Sequence, residues 1–305
     1  MADINRTTNS MALPSDISSE ILQKTQEESA IMRLARPIAL PGRGVTIPVI
    51  TGDPTAAWVS ETAAKPVSNG TPGTKLMQAF KIAVIETFSN EFVRDIPALY
   101  DALVRRLPAA LAGVFDSTVI GATQAPSQTN FDTFASCTAQ SILNANNGTY
   151  LGLVAADADI ASHGGVMNGL ALGAQARALL LTATDTTNRP LFLASANDGV
   201  VDKVLGVPTY FNKNLYKAGT AAVGQTAGTP AIVGVAGDWT QAMYGTVNGV
   251  EISVNDSASL TVGSGNNVST INLWQQNMVA VRAEIEVGFR ADTSCFNLLT
   301  GAIPT

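Results

Sequence analysis

The chain has 305 residues and a mass of 31.6 kDa, room for one large domain or two modest ones that bury most of their apolar surface. Hydrophobic residues make up 46% but charged residues only 14%, and 18 Lys+Arg against 24 Asp+Glu leave a formal net charge of −6. That balance excludes a nucleic-acid reader with a large basic face, and so thin a surface charge points to a surface covered by neighbours.

Other classes fall away as quickly. No stretch of 18 uncharged apolar residues offers a membrane-spanning helix, and the polar run from Met1 to Leu13 lacks the apolar core of a secretory signal. Two cysteines, Cys137 and Cys295, cannot build a disulfide framework and read as buried free thiols.

In chain order, residues 1–13 read as an irregular tail and 14–29 as a short peripheral helix opened by Pro14-Ser15-Asp16. From Pro37 to Lys75 six prolines and five glycines interrupt two extended pieces, Val45–Ile50 and Ala56–Ser60. Such a segment makes no core of its own. It reads as a long two-stranded loop or an arm crossing to another subunit. Lys75–Phe88 alternates as a strand, with Phe80, Ile82 and Val84 on one face. Ser89 or Asn90 then caps a long helix over Ile96–Gly121, in which Leu99, Leu103, Leu107, Leu111 and Val114 or Phe115 recur at helical spacing. Pro97 suits its first turn, and Pro108 should bend its middle.

Downstream, Ser136–Asn144 reads as a short helix, Gly165–Thr182 as a longer one, and Leu191–Ala194, Val200–Leu205, Ala231–Val235 and Glu251–Val254 as short strands. Ser257–Ser269 reads as an exposed loop. Met278–Phe289 is the clearest strand: Val279, Val281, Ala283, Ile285, Val287 and Phe289 share one face, Arg282, Glu284 and Glu286 the other. The class is α+β.

No chemistry stands out. His163 is the only histidine, in His163-Gly164-Gly165, a surface or capping position at an expected helix start. There is no nucleophile elbow, P-loop or dinucleotide fingerprint, and the Cys and His count builds no zinc site. Asp157 and Asp159 read as solvated turn residues rather than a calcium site. Arg94, Arg105 and Arg106 read as salt-bridge partners rather than a phosphate site. No cofactor and no metal ligand is expected.

Five segments, in order, resemble the HK97-like major capsid proteins of tailed double-stranded DNA bacteriophages. Ala57-Trp58-Val59-Ser60-Glu61 resembles a segment of that family's extended loop, and Phe88–Asp95, with Glu91 and Arg94, the start of its spine helix. Val235–Ala242, holding Asp238 and Trp239, with Tyr244-Gly245, resembles a C-terminal box. Asn277–Glu284 with Gly288-Phe289-Arg290, and Ala291-Asp292 with Cys295–Leu298, resemble the strand and tail that follow.

The resemblance implies an HK97-like capsid fold: an N-terminal arm at 1–36, extended loop and return strand at 37–88, spine helix and peripheral domain at 89–145, axial domain at 146–275, and a peripheral-domain strand and C-terminus at 276–305. It implies no enzyme but a structural subunit, made in the host bacterial cytoplasm. Through pentamers and hexamers it would close an icosahedral shell, the virion capsid, on double-stranded DNA that it touches without sequence preference. Separate scaffolding, portal and decoration proteins are implied partners; a membrane is not. Trp58 and Val59 would pack on a neighbour's spine helix or within their own chain, Asp238 and Trp239 would end a strand and fix a turn, and Arg282 would pair with Glu91 or Glu284. Lys65 or Lys75 with Asn297 are the loose candidates for the crosslink some relatives form. The alternatives are an encapsulin-like compartment, and further off a carboxylate-based glycan hydrolase or a surface-binding module.

Overall fold

The structure, a computed structural model, describes residues 29–42, 44–52, 54–69, 71–89, 96–143, 148–185, 187, 189–192, 203–222, 227–247, 249–262 and 269–302. The expected helix of 14–29, the Ser89/Asn90 cap with Glu91 and Arg94, and most of 191–202 lie at or beyond the edges of these residues.

A short helix α1 (Ala30–Leu34), capped by Ser29 Oγ accepting from the Met32 amide at 3.0 Å, leads into β1 (Arg36–Ala39). The proline- and glycine-rich stretch then folds as a two-stranded antiparallel ladder of β2 (Val45–Gly52) and β3 (Thr71–Met77), so the two-stranded loop is the form it takes. Ala56–Ser60 is not a strand; it belongs to the irregular tip, where Thr55 donates through its amide to Ser68 Oγ at 2.8 Å. The strand expected over 75–88 is split at Gln78-Ala79. Met77 ends the loop ladder, and β4 (Phe80–Ser89) starts a different sheet.

The long helix α2 (Ile96–Val119) continues through Pro108. Leu107, Leu111 and Phe115, four residues apart, are fully buried against the sheet. It stops in a Schellman turn: Gly121 takes φ +78°, its amide donates to Thr118 O at 3.0 Å, and the Ala122 amide reaches Ser117 O at 2.8 Å.

Beyond this point two expectations fail. Residues 136–144 hold no α-helix. A 3₁₀ turn (Phe134–Ser136) is followed by β5 (Thr138–Ser141), an edge strand whose ladder comes from a partner 159 residues downstream. The helix expected over 165–182 is instead a helix α3 placed earlier (Gly148–Ser162), a strand β6 (Gly169–Leu172) and a shorter helix α4 (Ala174–Leu181). All four residues of β6 are buried, and an apolar run that short carries no period to separate strand from helix. His163 therefore ends a helix rather than starting one. Gly164 takes φ +79°, and the Gly165 amide closes on Ile160 O at 3.1 Å.

The rest is β: β7 (Lys203–Val204), β8 (Val207–Phe211), β9 (Ile232–Gly237), β10 (Ala242–Thr246), β11 (Glu251–Asn255), the hairpin β12 (Ser259–Val262) with β13 (Ser269–Asn272) where a loop was expected, β14 (Met278–Ala291) and β15 (Phe296–Thr300).

Two larger sheets organise these strands. In the first, β14 is central: β4 pairs antiparallel with its residues 278–287, β11 with 280–284 and β10 with 287–291, and β1 adds in parallel to β10. The second has the order β5-β15-β9-β6-β8-β7. Pairing crosses the boundaries drawn from sequence: β10 and β11, inside 146–275, belong to the β14 sheet, and β15, inside 276–305, belongs to the β9 sheet. Helix α2 covers the first sheet through Leu107, Leu111, Val250, Ile252, Val281 and Ile285. Helices α3 and α4 cover the second through residues such as Leu153, Ile160, Leu170 and Leu180. A third cluster, rich in phenylalanine, lies where the sheets meet.

Candidate functional site

The two sheets are joined by a double crossover. β9 ends at Gly237 in one sheet and the chain resumes as β10 in the other; β14 ends at Ala291 and resumes as β15 in the opposite direction. Each connection is one 3₁₀ turn, Trp239–Gln241 or Thr293–Cys295, and each opens with an aspartate. Asp238 Oδ1 accepts from the Thr240 amide (3.0 Å) and hydroxyl (2.6 Å); Asp292 Oδ1 accepts from the Ser294 amide (3.2 Å) and hydroxyl (2.8 Å).

The two caps differ in reach. Asp238 also accepts from the Val166 amide at 3.2 Å and Asn168 Nδ2 at 2.8 Å, while Asn168 Oδ1 accepts from the Trp239 amide at 2.9 Å. Burial opposes the charged form of Asp238, but the hydrogen bonds from Thr240, Val166 and Asn168 outweigh it and hold the carboxyl below its ordinary value. The Trp239 indole donates to Gly169 O at 2.9 Å, and a Cβ at Gly169 would come within 2.5 Å of that ring. Trp239 is buried among Phe134 and Phe296, and Phe134 stacks on Phe296 with centroids 4.6 Å apart and meets Phe289 edge-on. Asp238 directly follows the end of β9, and Trp239 opens the turn after it. Asn168, Gly169, Phe134 and Asp292 complete the joint. No local pattern marked the first three, whereas the repeated aspartate-x-hydroxyl after a strand could have marked Asp292.

A second device sits at the root of the loop. Arg290, on β14, is buried; its Nη1 meets Asp132 Oδ1 at 2.8 Å, its Nε donates to Leu76 O at 2.9 Å, and its Nη2 donates to Thr129 O at 2.7 Å and also to Leu76 O. One guanidinium therefore pins β3 and the 128–132 turn to the central strand.

At the far end of that loop Trp58 is 104% exposed and Glu61 is exposed with it; the apolar Val67 stands 90% exposed nearby. The indole has no intrachain packing, which removes that alternative. Arg282 Nε pairs with Glu284 Oε1 at 2.9 Å on the surface of β14, beside Lys81 and apart from the double crossover; Glu91 and Arg94 lie outside the described residues. Asn297 is fully buried, its Nδ2 donating to Ala156 O at 3.0 Å, so it is not presented to a lysine of another copy.

Among the described residues no three His, Cys, Asp or Glu side chains converge as a metal site. The His163 ring nitrogen lies 2.9 Å from Asp159 O and Ser162 Oγ donates to the same carbonyl at 2.7 Å, an arrangement that caps α3. Both cysteines are free, and burial pushes the Cys137 thiol up to about 12.

A sequence model described as the phage capsid family matches residues 9–293. The probable major capsid protein gp17 of Mycobacterium phage L5 is 29% identical over 310 residues, covering 94% of this chain and 89% of the relative; the major capsid protein of Staphylococcus phage 80alpha is 25% identical, covering 95% and 85%. Among solved structures, a chain of Mycobacterium phage Ogopogo superposes with a TM-score of 0.70 at 18% identity, covering 90% of this chain and 92% of its own. A chain of Gordonia phage Cozz gives 0.69 at 20%, covering 91% and 87%.

Proposed function

Since the chain belongs to the phage capsid family and carries its HK97-like fold, we propose that it is the structural major capsid protein of a tailed bacteriophage, assembling with copies of itself into a shell around double-stranded DNA. The observation that carries this reading is the span of the match: residues 9–293 take in the loop, the long helix and every strand of the two larger sheets except β15. It also ranks the encapsulin-like, hydrolase and surface-module readings behind this one.

In this reading the loop of residues 37–88 reaches to the next subunit, and Trp58 packs on that neighbour's spine helix. An indole left entirely in water is out of place on a monomer and suits an interface anchor. One sequence must serve pentamers and hexamers, and a buried, hydrogen-bonded centre with a projecting loop suits that demand. Contact with packaged DNA is weak and non-specific, in keeping with a net charge of −6. Scaffolding, portal and decoration proteins complete the assembly in the host cytoplasm.

The test is the mass distribution of the purified protein by light scattering, with negative-stain images of the heaviest fraction, alone and with a scaffolding protein supplied. Rings of five or six subunits, or closed shells, are expected. A chain that stays monomeric under both conditions overturns the proposal.

A further inference from the structure

Ser29, the first described residue, is anchored on α2. Its Oγ donates to Asp116 Oδ1 at 2.5 Å, and Asp116 Oδ2 accepts from the Ala30 amide at 3.2 Å and from Asn212 Nδ2 at 3.0 Å. One buried carboxyl therefore clips the start of α1 and the turn after β8 to the long helix. Residues 1–28 enter the fold at this point.

Beside the anchor an open groove runs along α2. Ala109, Ala110, Gly113, Val114 and Ser117 form one wall, and the exposed Lys213, next to Asn212, stands on the other. A helix side facing water carries polar or charged residues as a rule. Here the side chains are small and apolar, the Ser117 hydroxyl turns back to donate to Gly113 O of its own helix, and Val114 is 47% exposed.

The segment before the anchor has the complementary pattern. Residues 14–28 read as a helix with Ile17 and Ile21 on one face and Leu22 beside them. The groove reaches from Ser117 back to Ala109, about 12 Å at the rise of an α-helix. The same length measured back from Ser29 brings Ile21 and Leu22 level with Ala109 and Ala110. Glu27 and Glu28 fall next to the anchor, on the side of Lys213.

We propose that residues 14–28 lie along this groove of their own chain as a helix parallel to α2, with Ile21 and Leu22 seated on Ala109 and Ala110 and the Glu27–Glu28 pair facing Lys213. Small side chains on α2 let the two backbones approach closely. The tie at Asp116 makes the contact intramolecular, so a short apolar face suffices to hold it. The docking belongs to the protomer and does not depend on shell assembly. A neighbour's Trp58 then meets the spine helix elsewhere than at this groove.

The test is disulfide trapping in the dilute full chain. Ala110→Cys combined with Ile21→Cys or with Leu22→Cys should oxidise within one chain, giving a monomer band of altered mobility on a non-reducing gel that the wild type, with Cys137 and Cys295 alone, does not show. Ala110→Cys combined with Trp58→Cys should not crosslink. A disulfide of position 21 or 22 formed only between two chains assigns the groove to a second copy's segment, and one between position 58 and Ala110→Cys of another chain assigns it to a neighbour's loop. Either result overturns the proposal, as does the absence of any crosslink. Hydrogen exchange gives an independent reading. Peptides within 14–28 should exchange about tenfold more slowly in the wild type than in Ala110→Glu, which places a charge in the groove, while peptides over 278–291 stay unchanged. Equal exchange in the two proteins overturns the docking.

Discussion

Asp238 and Asp292 occupy equivalent places in two crossovers that run in opposite directions, and each backbone amide bonds to the last residue of the other's turn: Asp238 N–H to Cys295 O at 3.0 Å, Asp292 N–H to Gln241 O at 3.2 Å. With Ala242 opposite Ala291 and Gly237 opposite Phe296, the two strands stay paired on both sides of the joint. The likeness stops at the side chains. Asp292 serves only its own turn, whereas Asp238 also holds the entry to β6.

That difference predicts unequal costs. Asp238→Ala removes a cap and strands the Val166 amide and the Asn168 carboxamide; Asp292→Ala removes a cap alone. The first should lose about 2–4 kcal/mol and the second about 1 kcal/mol. Denaturant midpoints of the two variants check this, and equal losses would mean that the Val166 and Asn168 contacts contribute little.

The lowered carboxyl of Asp238 sets an acid limit. A group depressed on folding stabilises above its unfolded value, here 3.8, and that contribution is lost as the pH falls through the lower folded value. The melting temperature of the wild type should therefore drop below about pH 4 more steeply than that of Asp238→Asn, whose position 238 does not titrate. Parallel curves from pH 5 to 2.5 would assign the acid lability to other carboxyls.

Arg290→Ala should cost about 3 kcal/mol, because Asp132 loses its cation and is left with only the Ala291 amide as donor, and the carbonyls of Leu76 and Thr129 lose theirs. Pairing it with Asp132→Asn should recover part of the loss, since no lone carboxylate then remains. Urea titration of the single and double variants gives the coupling directly. Limited proteolysis of the 45–77 hairpin should quicken in the single variant.

Trp58→Ala separates folding from assembly. A side chain wholly in solvent contributes little to the protomer, so the unfolding midpoint should shift by no more than about 0.5 kcal/mol. Particle yield should fall sharply if the indole anchors a neighbour. Normal particle yield would remove Trp58 from the interface.

Legibility in the sequence followed periodicity. β14 and α2 each carry one period over a dozen residues or more and were readable to within a few residues; β4 alternates too, but the break at Gln78-Ala79 that parts it from β3 left no mark in the alternation. α3 was missed because its outward side bears Leu151, Val154, Ala155 and Ala158 where polar residues would have marked a face. β5 and β6 were misread because four residues hold no period; what makes them strands is β15 and β9, far along the chain. At the joint, Asp238 and Trp239 were visible as a pair. Their partners Asn168 and Gly169 are some 70 residues away, and only the folded chain brings them near.

The double crossover also decides how the molecule carries force. Two lengths of backbone pass between the sheets, so pulling them apart loads covalent bonds in parallel, and tilting one sheet on the other stretches one connection while compressing its antiparallel neighbour. The joint behaves as a stiff double strut, not a single pivot. Compliance must then come from parts outside the joint: the hairpin rooted on Arg290 and the segment clipped by Asp116.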